Sequence, residues 1–401
     1  MLKKSQSVKF GLNLLRAGWF FHNFLLMTPV IVLIYTSHGI TIGDFFLIQG
    51  IFRLAAFLFE IPSGYLSDCF SRKWVMVCGG CFLIAGFSAI ALATGFWGLT
   101  LGEALLGIST ALFSGTLEAY TYDLLKRNKT QNQFLKEYGS ITTFSSVACF
   151  IAALLGGFLY AKLGGNTLLW LEAFFATVSV LFFLFLPNLL EVKRVVKHKT
   201  AVVDAISISY RTMKNSRLRN FIVFPALFSA FTIVMLWIMQ PIMETAHVPL
   251  ELFGIFFAIN QLAAIFFAKF AYKICGKFGE KNVSIFTIAV IIMGITLGLL
   301  ATHINSMPLI LTACVLMEFA PAIRMLNNLQ YNTLIHDSIE SNERGTVLST
   351  RAMVSTFLGA IFLSFAKFSF DTFGLDITLV LMFALTPLLF WSLSKVEKHL
   401  H

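Results

Sequence analysis

Twelve mostly apolar stretches of 21 to 29 residues run along this chain, separated by short polar breaks. No other feature limits the fold as strongly. A helix that crosses a bilayer needs about 20 mostly apolar residues. Backbone placed in lipid must satisfy its own hydrogen bonds, which helices do within one segment. The expected spans are 17–37, 41–66, 74–94, 98–124, 138–163 and 167–188, then 221–245, 250–273, 282–303, 307–335, 345–370 and 375–395. The chain therefore reads as an all-α membrane protein of twelve transmembrane helices in two pseudo-symmetric six-helix bundles. The bundles are expected at 1–188 and 221–401, joined by a cytoplasmic linker at 189–220. Composition agrees with this class: 12% of residues are charged, against about 25% in a soluble domain.

The net charge of +10 is not gathered into a patch of the kind that binds nucleic acid. With the N-terminus inside and the spans alternating, 26 of the 30 Lys and Arg fall in inner segments. Basic residues concentrate on the cytoplasmic side of membrane proteins, so both termini are expected there, in the inner membrane if the source is bacterial. Lys3, Lys4 and Lys9 precede a first stretch long enough to span, with no small-residue cleavage site after it. It reads as a helix, not as a signal peptide. The six Cys lie mostly within apolar segments, and Cys78-Gly79-Gly80-Cys81 reads as helix packing rather than a redox pair.

The linker has eight basic residues, and Val202, Ile206, Tyr210 and Met213 recur at helical spacing. An amphipathic helix on the inner leaflet fits that pattern, with a regulatory or peptide-binding segment as the alternative. The halves echo each other: Leu117-Glu118 with Thr121 against Leu329-Gln330 with Thr333, and Glu137-Tyr138-Gly139-Ser140 against Glu343-Arg344-Gly345-Thr346. Such spacing points to duplication, the plan of transporters that rock one half against the other.

After the second span the chain reads Glu60-Ile61-Pro62-Ser63-Gly64-Tyr65-Leu66-Ser67-Asp68-Cys69-Phe70-Ser71-Arg72-Lys73. This resembles the signature of the major facilitator superfamily, Gly-x-Leu-(Ala/Ser)-Asp-x-x-Gly-Arg-(Lys/Arg), with the Glu-x-Pro-x-Gly that commonly leads into it. The resemblance implies that family's fold and transport by alternating access. It also implies that Asp68 latches the first half to the eleventh helix near Gly345-Thr346, and that Arg72, beside Lys73, pairs with Asp123. Gly64 is expected to permit close helix approach. Ser71 stands where the family usually has Gly, and the loop Lys273–Lys281 lacks a matching acid. Glu103 occupies the place of the Arg that drug/proton antiporters carry before Leu-x-Gly, and the fifth span lacks their Gly-Pro pair.

Ionisable residues at membrane depth mark function. Arg53 lies in the second span, with Glu60 seven residues on; Glu118 lies in the fourth; Glu318 and Arg324 flank Pro321 in the tenth. One reading has Arg53 and Arg324, one from each half, binding an anionic group, with Glu118, Glu318 or Glu60 carrying a coupling proton. The other pairs Arg53 with Glu60 or Glu118, and Arg324 with Glu318, as structure only. His22, Asn23, Gln240, Asn260, Gln261 and Gln330 are further candidates for ligand hydrogen bonds, with helix packing the competing reading.

The resulting expectation is a monomeric secondary transporter of a small organic solute, proton-coupled, with a carboxylate-bearing substrate suited to the two Arg. A multidrug/proton antiporter and a non-transporting receptor of the same fold are the alternatives. No H-E-x-x-H, serine-nucleophile or G-x-x-x-x-G-K-(S/T) motif is present, so neither an enzyme nor direct use of ATP is expected. No cofactor or metal is called for.

Overall fold

The structure is a computed structural model and describes residues 2–189, 207–304, 306–336, 338–339 and 344–399. Most of the linker, including Val202 and Ile206, and the loop residue Glu343 lie outside the described residues, as do the side chains of Asp68, Arg344 and Gly345. The described residues are helical, with no strand among them. The helices are α1 (Leu2–His22), α2 (Ile31–Thr36), α3 (Ile42–Cys69), α4 (Arg72–Ala91), α5 (Phe96–Phe113), α6 (Thr116–Lys126), α7 (Phe134–Leu163) and α8 (Gly165–Leu184). A helix at 207–214 is α9. After it come α10 (Ser216–Thr245), α11 (Leu250–Phe278), α12 (Glu280–His303), α13 (Met307–His336), α14 (Arg344–Leu385) and α15 (Pro387–Glu397).

Ten stretches among the described residues are long and apolar enough to cross a membrane. The last of them, Thr346–Glu397, has 52 residues. That is about 78 Å of helix at 1.5 Å per residue, far more than one crossing requires. It turns at Gly374, whose φ of 79° is open to glycine at no steric cost, and is broken again before Pro387, the first residue of α15.

Two expected single spans are each two helices. The stretch 17–37 is interrupted at residues 23–30, with a 3-10 turn at Thr28–Val30 between α1 and α2. Pro29 has no N–H to continue a helix. The stretch 98–124 breaks at Ser114-Gly115, where Gly115 has φ 70°. Helix α10 starts at Ser216, inside the segment expected to be linker.

The chain groups into two compact units, residues 1–28 with 54–202 and residues 29–53 with 203–401. In the first, α1, α4, α5, α6 and α8 contribute Leu15, Met76, Phe113, Tyr120 and Phe183 to one core. Ser109 donates to the Gly79 carbonyl at 2.7 Å, so α4 and α5 approach closely beside Cys78 and Cys81. In the second unit α10 is the most enclosed spanning helix, 83% of its apolar window being buried. It packs against α13, α14 and α15.

Candidate functional site

The second unit contains both Arg53 and Arg324, which the sequence assigns to different halves. Arg53, on α3, lies flat against Gly359 of α14. A Cβ at 359 would stand 3.0 Å from its Cδ and 3.1 Å from Nη1, so an alanine there would push the arginine side chain aside by a few tenths of an ångström. Arg324, on α13, donates to Ser229 Oγ of α10 at 3.3 Å. Both side chains are half-buried, and the two positive charges are near enough to act on each other.

No carboxylate ion-pairs with either guanidinium among the described residues. Arg324 and Glu318, which lie in the same unit, form no ion pair. Glu60 instead accepts from Ser114 Oγ at 2.9 Å, at the α5–α6 break. Glu118 sits in the first turn of α6, where the helix dipole favours an acid. Glu318 is fully buried on α13, and its carboxylate oxygens have no hydrogen-bond partner among the described residues. Removing a cation from water is costly unless an anion compensates.

The uncharged candidates are largely engaged by backbone. Gln240 Oε1 accepts from Val32 N at 3.0 Å and so holds the first turn of α2. Asn260 donates to the Glu318 carbonyl at 2.8 Å, and Gln330 to the Glu280 carbonyl at 3.0 Å. Asn23 donates to the Trp19 carbonyl at 2.8 Å. The ring of His22 stacks on Trp19 at 4.5 Å, and its Nδ1 has no partner among the described residues. Gln261 neighbours Asn260 on α11.

In the signature segment Arg72 is ion-paired with Asp123. Lys73 is buried, with Nζ 5.4 Å from the ring centroid of Trp74. Asp68 falls in the last turn of α3, and its side chain lies outside the described residues. The close approach expected at Gly64 is not seen: no described atom lies within 4 Å of where its Cβ would stand.

Two features are not singled out by sequence reasoning. Glu172, 1% exposed on α8, accepts the N–H of Met27 at 2.8 Å and that of Leu26, both in the α1–α2 break. An acid in an apolar span is the same signal that marks Glu118, but nothing nearby in sequence says what Glu172 would hold. The second feature joins the start of α3 to α14. Lys367 Nζ contacts Asp44 at 2.9 Å and Asp371 at 2.8 Å. A methyl group on Gly43 would fall inside the Asp371 carboxylate. These ion pairs are partly exposed, so a double-mutant cycle of Lys367→Met with Asp44→Asn is expected to give about 0.5–1 kcal/mol of coupling. Zero coupling would mean that the cluster does not hold α3 to α14.

The helices and this cluster of intramembrane charge define an integral, multi-pass, all-α membrane protein. The family model of the Major Facilitator Superfamily matches residues 14–364, and the chain belongs to that family. The inner membrane transport protein YajR of Escherichia coli (strain K12) is 34% identical over 131 residues, which are 33% of this chain and 28% of that protein. The chain spans well under half the length of the curated relatives it matches. Among solved structures, a variant of the nucleoside transporter NupG superposes with a TM-score of 0.81 at 15% identity, covering 97% of this chain and 99% of that one. The human organic anion transporter MFSD10 superposes at 0.63 and 18% identity, covering 96% and 99%. At these identities both share the fold.

Proposed function

We propose that this protein is a secondary transporter that moves a small organic anion across the membrane by alternating access, coupled to protons. The observation that carries the reading is the Arg53–Arg324 pair: two half-buried cations in one unit, with no carboxylate ion-paired to either among the described residues. Membership of the superfamily and a relative with a transport name support movement of solute over reception. Arg53 and Arg324 would grip a carboxylate with paired N–H donors. Glu318, buried with no hydrogen-bond partner on either oxygen among the described residues, would take up and release a coupling proton. Glu60 and Glu118 are the other two.

In this reading the signature segment, with Asp68 and the Arg72–Asp123 pair, biases the balance between inward- and outward-facing states. The transporter sits in the inner membrane with its basic segments in the cytoplasm and works as a monomer.

A thermal-shift screen of the purified protein tests the substrate class. A ligand of the folded state stabilises it by about 2.7 kcal/mol at a hundred times its Kd. Small mono- and dicarboxylates are expected to raise the melting temperature. Their amides and amines, of equal size, are expected not to. Stabilisation by cationic solutes alone would reject the anionic reading and favour the antiporter.

A further inference from the structure

A cavity of about 480 Å3 opens where the first turns of α10 meet the end of α15. Arg219 contributes to it from α10, and Lys395 and Lys398 from α15 and its C-cap. Among the described residues no Asp or Glu lines it. The adjacent acid, Glu397, is ion-paired with Lys281 at 3.2 Å. The cavity also lies at the N-terminus of a 30-residue helix, the positive end of its dipole. Asn215 takes two of the N–H groups there, those of Arg217 and Leu218.

The opposite wall is apolar. Trp391, 58% exposed, and Val223 form it, and Lys395 Nζ stands 5.5 Å from the Trp391 ring centroid. Asn220 ties the two helices together by donating to the Lys395 carbonyl at 3.2 Å. Charge alternation along the chain assigns this end of both helices to the cytoplasmic face. Trp rings settle at that level of a bilayer, and basic pockets between helices there suit lipid phosphates.

We propose that this cavity binds the phosphate headgroup of an anionic phospholipid. Arg219, Lys395 and Lys398 take the phosphate, while Trp391 and Val223 lie along the glycerol and upper acyl chain. Free phosphate would use the cations but leave the apolar wall uncovered. The site is independent of the proposed transport reaction: it shares no residue with Arg53 or Arg324 and does not require either to bind a solute.

Native mass spectrometry of the full chain, incubated with equal amounts of phosphatidylglycerol and phosphatidylcholine, tests the proposal. The protein is expected to retain phosphatidylglycerol preferentially. The variant Arg219→Gln/Lys395→Gln/Lys398→Gln should lose that preference by at least about tenfold, each basic group near the surface being worth several-fold in lipid binding. The single variant Lys398→Gln, at an exposed position, should lower it without disturbing the fold. A control, Lys126→Gln/Arg127→Gln/Lys129→Gln, should keep it, and excess inorganic phosphate should not displace the lipid. Equal retention of both lipids, an unchanged preference in the triple or single variant, or a loss in the control equal to that in the triple variant would overturn the proposal. Displacement by inorganic phosphate would show a small-anion site instead of a lipid site.

Discussion

Replacing Arg53 by Gln is expected to leave the melting temperature of the ligand-free protein unchanged or higher, while weakening carboxylate binding by about tenfold to a hundredfold. The sign follows from what surrounds the side chain. An Arg held by a buried acid would cost about 3–5 kcal/mol on removal, because the acid is left uncompensated. Arg53 has no ion-paired acid among the described residues, so removing it leaves none of them uncompensated. Arg53→Lys keeps the charge but loses the planar fork, so it should bind carboxylates more weakly with little change in stability. Gly359→Ala should act on binding in the same direction, because the added methyl would press on the guanidinium. A large loss of stability in Arg53→Gln, rescued by Glu60→Gln or Glu118→Gln, would return Arg53 to a structural role.

The second large effect is expected at Glu172. Its carboxylate holds the N–H groups of Met27 and Leu26, where the first span is broken. Such donors cannot find water in the bilayer core. Glu172→Ala should therefore lower stability by about 2–6 kcal/mol, at about 1–3 kcal/mol for each of the two buried donors left unpaired. Glu172→Gln keeps an acceptor oxygen and should lose much less. A melting temperature unchanged in Glu172→Ala would mean that the break is stable without its cap.

These two sites show how far the sequence was legible. The long helices could be read because apolar length is a local property, and the expected spans fall on the helices of the structure. The interruptions could not. The break after His22 is held by Glu172, 145 residues beyond Met27. The start of α2 is held by Gln240, 208 residues beyond Val32. A run of apolar residues such as 17–37 looks continuous until those distant acceptors are placed.

The candidate site divides in the same way. Arg53 and Arg324 stand out because an Arg within an apolar span is rare. Whether each has an acid partner depends on which helices meet, and sequence spacing offered Glu60 and Glu118 as readily as none. The role of Gly359 beside Arg53 leaves no mark in a helix that contains other small residues. Nor does Asp371 announce itself, since its place beside Lys367 and Gly43 depends on how α3 and α14 pack.

In the proposed function Arg53 and Arg324 bind a transported organic anion. Counterflow in proteoliposomes tests it most directly, using the radiolabelled carboxylate that gives the largest thermal shift. Liposomes preloaded with that solute should take up label through the unmodified protein. Arg53→Lys and Arg324→Lys, reconstituted in equal amount, should do so at least about tenfold more slowly, as expected when bidentate contacts to a carboxylate are lost. Uptake through Arg53→Gln/Arg324→Gln at the rate of the unmodified protein would contradict the account.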